Sequence, residues 1–211
     1  KRMTLCQRTP RQLRVSSDLR GLASDLPKPF AKVAEAARPL SIGVSFGAGS
    51  VPRVEAHLGR DVQALLQWRQ RPEDPPVRRG IVVFGGAAPA ALPDADGLWL
   101  TGRLDETSLS DILELRWDQP TRYPLQAWFA GGSLVIRKFE ALGYGFTNVT
   151  GRLQSSGRAW QVDLNADEVS GRVMVPHVFP GEVPMVLDLE RLRLAEPIRE
   201  PGTEPDPREL P

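Results

Sequence analysis

Cysteine and histidine are scarce in this sequence. Among its 211 residues there is one cysteine, Cys6, and there are two histidines, His57 and His177. A single cysteine cannot form a disulfide within the chain. One cysteine and two histidines are also too few for a zinc site built from these residue types. We therefore expect no internal disulfide and no such metal site, and nothing in the sequence calls for another cofactor.

Long apolar runs and a surplus of one charge are also missing. Apolar runs such as Ile81–Phe84 fall far below the roughly 18 residues of a membrane-spanning helix. The 27 basic and 26 acidic residues leave a net charge of +1, so the chain lacks the broad basic surface typical of nucleic-acid binding. No nucleic-acid partner is expected. The chain starts at Lys1 and ends at Pro211 within a linker-like stretch, which we interpret as a piece of a longer protein.

Alternation of apolar and polar residues dominates what remains. This pattern is typical of strands with one buried face. It recurs in roughly ten segments, of which the clearest are 13–19, 54–58, 62–69, 98–104, 125–140, 149–153, 160–165, 169–175 and 187–190. Short connections between most of them predict an antiparallel, up-and-down sheet, with a kink at Gly131–Gly132.

Only two segments have helical spacing. The first is Phe30–Ala37, which lies between prolines, and the second surrounds Leu109–Leu113, with a start near Asp105 or Ser108. Two short helices cannot cover the apolar faces of so many strands. The sheet must therefore curve onto itself as a sandwich, a barrel or a trough. Periodicity does not distinguish these forms, although an open apolar trough requires a hydrophobic ligand.

The titratable residues give little support for catalysis. His57 is predicted on a polar strand face and His177 in a loop, neither with an evident nucleophile. Asp105, Glu106 and Asp111 are better explained by helix capping and a solvated face than as a catalytic carboxylate pair. Gly85–Gly86 lacks the Lys-Ser/Thr of a phosphate-binding loop. We therefore expect a protein that is not an enzyme.

Several stretches are similar, in order and spacing, to a known family. They are Ser16–Leu22 (SSDLRGL), Asp25–Lys32 (DLPKPFAK), Arg38–Leu40 (RPL), Gly97–Gly102 (GLWLTG), Trp160–Pro176 (W-x-V-D-L-x-A-x-x-x-x-G-x-x-x-V-P) and Leu187–Leu194 (LDLERLRL). Together they resemble the AsmA-like proteins of the YhdP group, which are related to TamB. The resemblance covers most of residues 11–195.

The resemblance implies a fold, a place and a function. It implies the periplasmic portion of an inner-membrane-anchored protein of the Gram-negative envelope, with a mainly β fold in which a long sheet curls into a groove and carries two short helices. It further implies a non-catalytic segment that shields phospholipid acyl chains on their way between the inner and outer membranes. Its partners would be phospholipid, neighbouring repeats of the same chain and an unidentified outer-membrane partner. The alternative is a closed β-sandwich that serves as a structural or interaction module without a lipid path.

The predicted groove lining consists of apolar positions of the alternating strands. The candidates are Val62, Leu66, Trp68, Leu98, Leu100, Val149, Leu153, Trp160, Val162, Leu164, Val173, Val175, Leu187 and Leu189. The predicted organisation is a β-rich segment with both helices over 1–117, a β-meander that continues the same sheet over 118–195, and a proline-rich linker to a next repeat over 196–211.

Overall fold

A computed structural model describes residues 11–47, 51–69, 77–114, 127–156, 159–177 and 184–194. These residues form one sheet of eleven strands and one short helix. The strands are β1 (Arg11–Ser17), β2 (Leu40–Phe46), β3 (Arg53–Leu58), β4 (Val62–Trp68), β5 (Val77–Phe84), β6 (Gly97–Ser108), β7 (Phe129–Ala141), β8 (Tyr144–Ser156), β9 (Ala159–Asn165), β10 (Val169–Pro176) and β11 (Val186–Leu192). The mainly β fold predicted from alternation is confirmed.

The strands follow one another across the sheet in chain order, from β1 to β11. Neighbours are antiparallel except at β6, which is parallel to both β5 and β7. The predicted up-and-down order therefore does not hold at β6. The connections explain this difference, because residues 85–96 and 109–128 are long enough for the crossover of a dozen or more residues that parallel neighbours need.

The helix predicted over Phe30–Ala37 is wrong. Residues 18–39, which we call the rim loop, form turns with one isolated bridge between Ser24 and Lys32. Backbone bonds across the loop, from Gly21 N–H to the Ala34 carbonyl at 2.7 Å among others, use groups that a helix would need for itself. Prolines at both ends also disfavour helical continuation.

The second predicted helix is confirmed as α1 (Leu109–Glu114). The Ser108 hydroxyl accepts a hydrogen bond from Asp111 N–H at 3.0 Å, and the Asp111 carboxylate accepts one from Ser108 N–H at 3.1 Å. This reciprocal arrangement is a capping box. It gives Asp111 a structural role in starting the helix.

The kink predicted at Gly131–Gly132 is confirmed. Gly131 has a φ of +148°, and a Cβ built on it would lie 2.4 Å from the Leu153 carbonyl oxygen. The register between β6 and β7 shifts at the same place, between Leu98 and Trp99. A side chain at residue 131 would force β7 and β8 apart, so this close approach requires glycine.

The predicted division of the chain stays a prediction. Its boundary near residue 117 and the linker over 196–211 lie outside the described residues.

Candidate functional site

The strand register places all fourteen candidate lining residues on one face of the sheet. Directly paired residues of neighbouring strands project to the same side, so faces can be followed from strand to strand. Leu66 pairs with Gly80, and Gly80 pairs with Leu98. A second run of partners is Leu100, Gly132, Leu153, Val162, Val173 and Leu187, one on each strand from β6 to β11. The remaining candidates join these residues by alternation or pairing, and we call this side the apolar face.

The apolar face also includes residues outside the predicted lining. They are Leu13, Val15, Leu40, Ile42, Val44, Val54, Leu58, Val82, Phe84, Leu104, Phe129, Leu134 and Ile136. The same alternation marks most of them in the sequence. With them, every strand from β1 to β11 contributes apolar residues to this face.

The opposite face carries a ladder of charges on β8 to β11, and an apolar patch on β4 to β6 where Leu65, Ile81 and Trp99 are paired and Leu65 is buried. Arg152, Asp163, Arg172 and Asp188 are paired across four strands, β8 to β11. Arg172 Nε donates to Asp163 Oδ1 at 2.7 Å. This bond, followed by one from Gln161, holds the pKa of Asp163 below its usual range, and the same contact raises the pKa of Arg172. From β8 to β11, alternation thus sorts the two faces by polarity, as a solvated sheet surface requires.

Much of the apolar face is open. Its centre is buried, with Val62 and Phe84 each 8% exposed, but Val15 is 50% exposed and Leu187 is 55% exposed towards the two ends. The described residues contain no second sheet that could cover this face, and β1 and β11 each pair on one side alone. The described part of the chain is therefore not a closed sandwich or barrel.

Side chains on the apolar face approach one another across an intervening strand. The rings of Phe129 on β7 and Trp160 on β9 lie 5.2 Å apart although β8 runs between those strands. In a flat sheet the two strands would be separated by roughly 10 Å. Such convergence is typical of the inner side of a curved sheet, and it supports the curled groove.

The family comparison agrees with this geometry. A family model described as YhdP protein matches residues 3–211. The chain belongs to the YhdP family. No curated protein and no solved structure matched it. Membership makes the chain an AsmA-like protein of the Gram-negative envelope. No helix in the described ranges is long and apolar enough to cross a membrane.

In this YhdP-family chain, each of the two histidines contacts side chains of neighbouring strands. His57 Nδ1 pairs with Gln63 Oε1 on the polar face. The His177 ring packs against Trp160 with centroids 4.9 Å apart, and its Nε2 lies 3.4 Å from the Ser155 hydroxyl. Sequence reasoning placed His177 in a loop and missed this contact, because the partner comes from another strand.

The candidate carboxylates likewise form ion pairs or a helix cap. Asp105 forms an ion pair with Arg137 at 3.5 Å, and Glu106 forms one with Lys28 at 3.3 Å. Asp105 and Glu106 also project to opposite faces of β6, so they cannot act on one substrate atom. The described residues contain no group of three or more histidine, cysteine, aspartate or glutamate side chains that could hold a metal ion. Cys6 lies outside the described residues.

Proposed function

We propose that the apolar face binds phospholipid acyl chains. In this proposal the chain is a non-catalytic segment of a periplasmic, inner-membrane-anchored protein that passes phospholipid between the inner and outer membranes and so supports the outer-membrane barrier. The observation that carries it is a single apolar face that continues across eleven strands and is left partly open.

Apolar surface that stays open to water carries a free-energy cost. Burial of a methylene group contributes about 0.8 kcal/mol, so an acyl chain that covers the open face is strongly favoured over water. Large exposed apolar patches on proteins mark binding surfaces. The headgroup can remain in water at the rim of the apolar face.

Neighbouring repeats of the same chain are the second proposed partner. Eleven strands at about 4.8 Å each make a sheet roughly 50 Å long. Strands β1 and β11 leave one edge each without a partner among the described residues, and apolar residues such as Leu13 and Leu187 are more than half exposed there. Strands of adjoining repeats added to these edges would lengthen the apolar face and protect the edges from aggregation.

Photo-crosslinking in the full-length protein tests the lipid path. A photoreactive residue at Leu153 or Val162 should give phospholipid adducts in cells, whereas one at Gln154 or Asp163 should not. Each pair of positions is adjacent in one strand and differs in the face to which it projects, so it controls for expression and location. Equal adducts on both faces would contradict the proposed path. Adducts on neither face would favour the alternative of a structural or interaction module without lipid.

A further inference from the structure

Strand β6 extends six residues beyond its neighbour β5. β5 ends at Phe84, which pairs with Gly102, whereas β6 continues to Ser108. On its other side β6 remains paired with β7 up to Ser108 and Glu140. Arg103–Ser108 therefore borders a gap in the sheet, where β5 has ended and β7 has not. We call this gap the notch.

Backbone groups of β6 point into the notch. The Arg103 carbonyl oxygen lies 2.8 Å from the position that a Cβ on Gly85 would take, so this carbonyl faces the β5 side. Alternate residues of a strand direct their N–H and C=O groups to the same side. Thr107, at the far end of this edge, is buried, so Asp105 is the residue that presents accessible backbone groups to the notch. Within the described ranges, no loop backbone group bonds to them. Such an unpaired edge is a template for an added strand.

The notch opens onto a cavity of about 750 Å³ beneath the rim loop. Among its lining residues are Lys32 and Val33 from the rim loop and Leu104 from β6. The rim loop does not fill the notch, since its backbone bonds are made within the loop or to strand ends, such as Ser24 with Lys32 and Gly59 with Pro39. Side-chain ion pairs hold the loop beside the strand and leave space between them.

The unmatched charge at this cavity is positive. Its three carboxylates are all in ion pairs, which are Arg38–Asp61, Lys28–Glu106 and Arg137–Asp105. Lys32 Nζ donates to the carbonyls of Leu22 and Val33, and Arg103 has no carboxylate partner in the described part of the chain. An incoming segment is therefore best matched when it carries carboxylates.

We propose that the notch binds an extended, acidic segment of a partner polypeptide by strand addition. The segment pairs with the Asp105 backbone. Alternate residues place apolar side chains beside Leu104 on the apolar face and carboxylates beside Arg103 on the polar face. This is the β-augmentation mode of peptide recognition, in which main-chain bonds provide affinity and alternate side chains provide specificity. The notch borders the apolar face at Leu104, but peptide binding there does not depend on the proposed lipid path.

Peptide binding to the full chain tests this proposal. The probe is a capped hexapeptide that alternates valine with aspartate. One control replaces aspartate with lysine, and another carries N-methyl groups on alternate backbone nitrogens. The aspartate peptide should bind at least tenfold more tightly than either control, and it should slow hydrogen exchange at the Asp105 amide.

Two variants locate the site. Asp105→Pro removes an edge N–H and should abolish peptide binding, since proline is tolerated at unpaired edges but cannot donate. The matched variant Asp105→Asn keeps the backbone and should bind normally. Arg103→Gln should weaken the aspartate peptide several-fold.

Hydrogen exchange of the unsubstituted chain tests the proposal even if Asp105→Pro misfolds. Slow exchange at Asp105 in the free chain would overturn the proposal, because this edge would already be covered. Protection by the peptide at β1 or β11 amides instead would overturn it too, as would equal binding of all three peptides.

Discussion

At the scale of single residues, adjacent positions of β9 should respond oppositely to a change of polarity. Val162 lies on the apolar face between Leu153 and Val173, whereas Asp163 lies on the polar face. Val162→Asp places a carboxylate among apolar groups and should lower the free energy of unfolding by about 2 kcal/mol or more. Asp163→Asn weakens only an exposed contact with Arg172 and should cost much less. Urea unfolding of both variants measures the difference, and equal losses would contradict the assignment of faces.

A second residue-scale prediction concerns the turn between β7 and β8. Leu142 and Gly143 have φ values of +54° and +78°, the pattern of a type I′ hairpin turn. Leucine is strained in this region, and Leu142 is 87% exposed, so its side chain contributes little packing. Leu142→Asn should therefore raise stability by about 1 kcal/mol.

The neighbouring position provides the matched control. A Cβ on Gly143 would meet no atom within 4 Å, so backbone strain is the main effect of Gly143→Ala. That variant should be destabilised, with a lower melting temperature. A Leu142→Asn melting temperature below that of the parent would refute the assigned turn.

At the scale of elements, the β9–β10 turn is tied to β8 by hydrogen bonds to carboxylates. Thr147 N–H and its hydroxyl donate to Glu168 at 2.8 and 2.6 Å, and Asn148 donates to Asp167 at 2.7 Å. Desolvation acts in the opposite direction, but the bonds from Thr147 hold the pKa of Glu168 below its usual range. This connection between strands has no signal in the local pattern, because its partners lie about twenty residues apart in the chain.

The lowered pKa of Glu168 gives stability a defined dependence on pH. A carboxylate with a depressed folded-state pKa stabilises the fold above its unfolded pKa of about 4.3 and loses that contribution as pH falls through the folded value. Glu168→Gln should therefore show a smaller loss of stability between pH 6 and pH 3 than the parent chain. Urea midpoints across this range provide the measurement.

The control for this pH prediction is Glu35→Gln in the rim loop. The Glu35 side chain is exposed, and this change should leave the pH profile of the parent intact. A Glu168→Gln profile as steep as that of the parent would show that the Thr147 bonds do not set the acid response.

At the scale of the whole molecule, the open apolar face should retain lipid through purification. Native mass spectrometry of the chain should detect bound phospholipid. Leu153→Lys puts a charge on the apolar face and should remove the lipid, whereas Gln154→Lys, on the polar face of the same strand, should not. Lipid bound equally to both variants would contradict binding at the apolar face.

Local periodicity in the sequence predicted which residues share the apolar face. A period of two fixes the side to which each residue projects, so the fourteen candidates, from Val62 to Leu189, could be placed together without knowledge of strand order. The kink at Gly131 and the start of α1 at Ser108 were also predictable, because the glycine pair and the capping residues act locally. The family resemblance, which the family comparison confirmed, came from the same local runs.

The tertiary structure alone decided the rest. Periodicity carries no information on strand direction, so the parallel pairings of β6 and the notch beside Arg103–Ser108 could not be read from it. The spacing of Phe30 to Ala37 fits a helix, yet cross-loop bonds and the packing of Phe30 on Phe84, with centroids 6.3 Å apart, favour the rim loop instead. Whether the apolar face is closed or open depends on how distant strands meet. Here β1 and β11 do not pair in the described structure, and the face remains accessible.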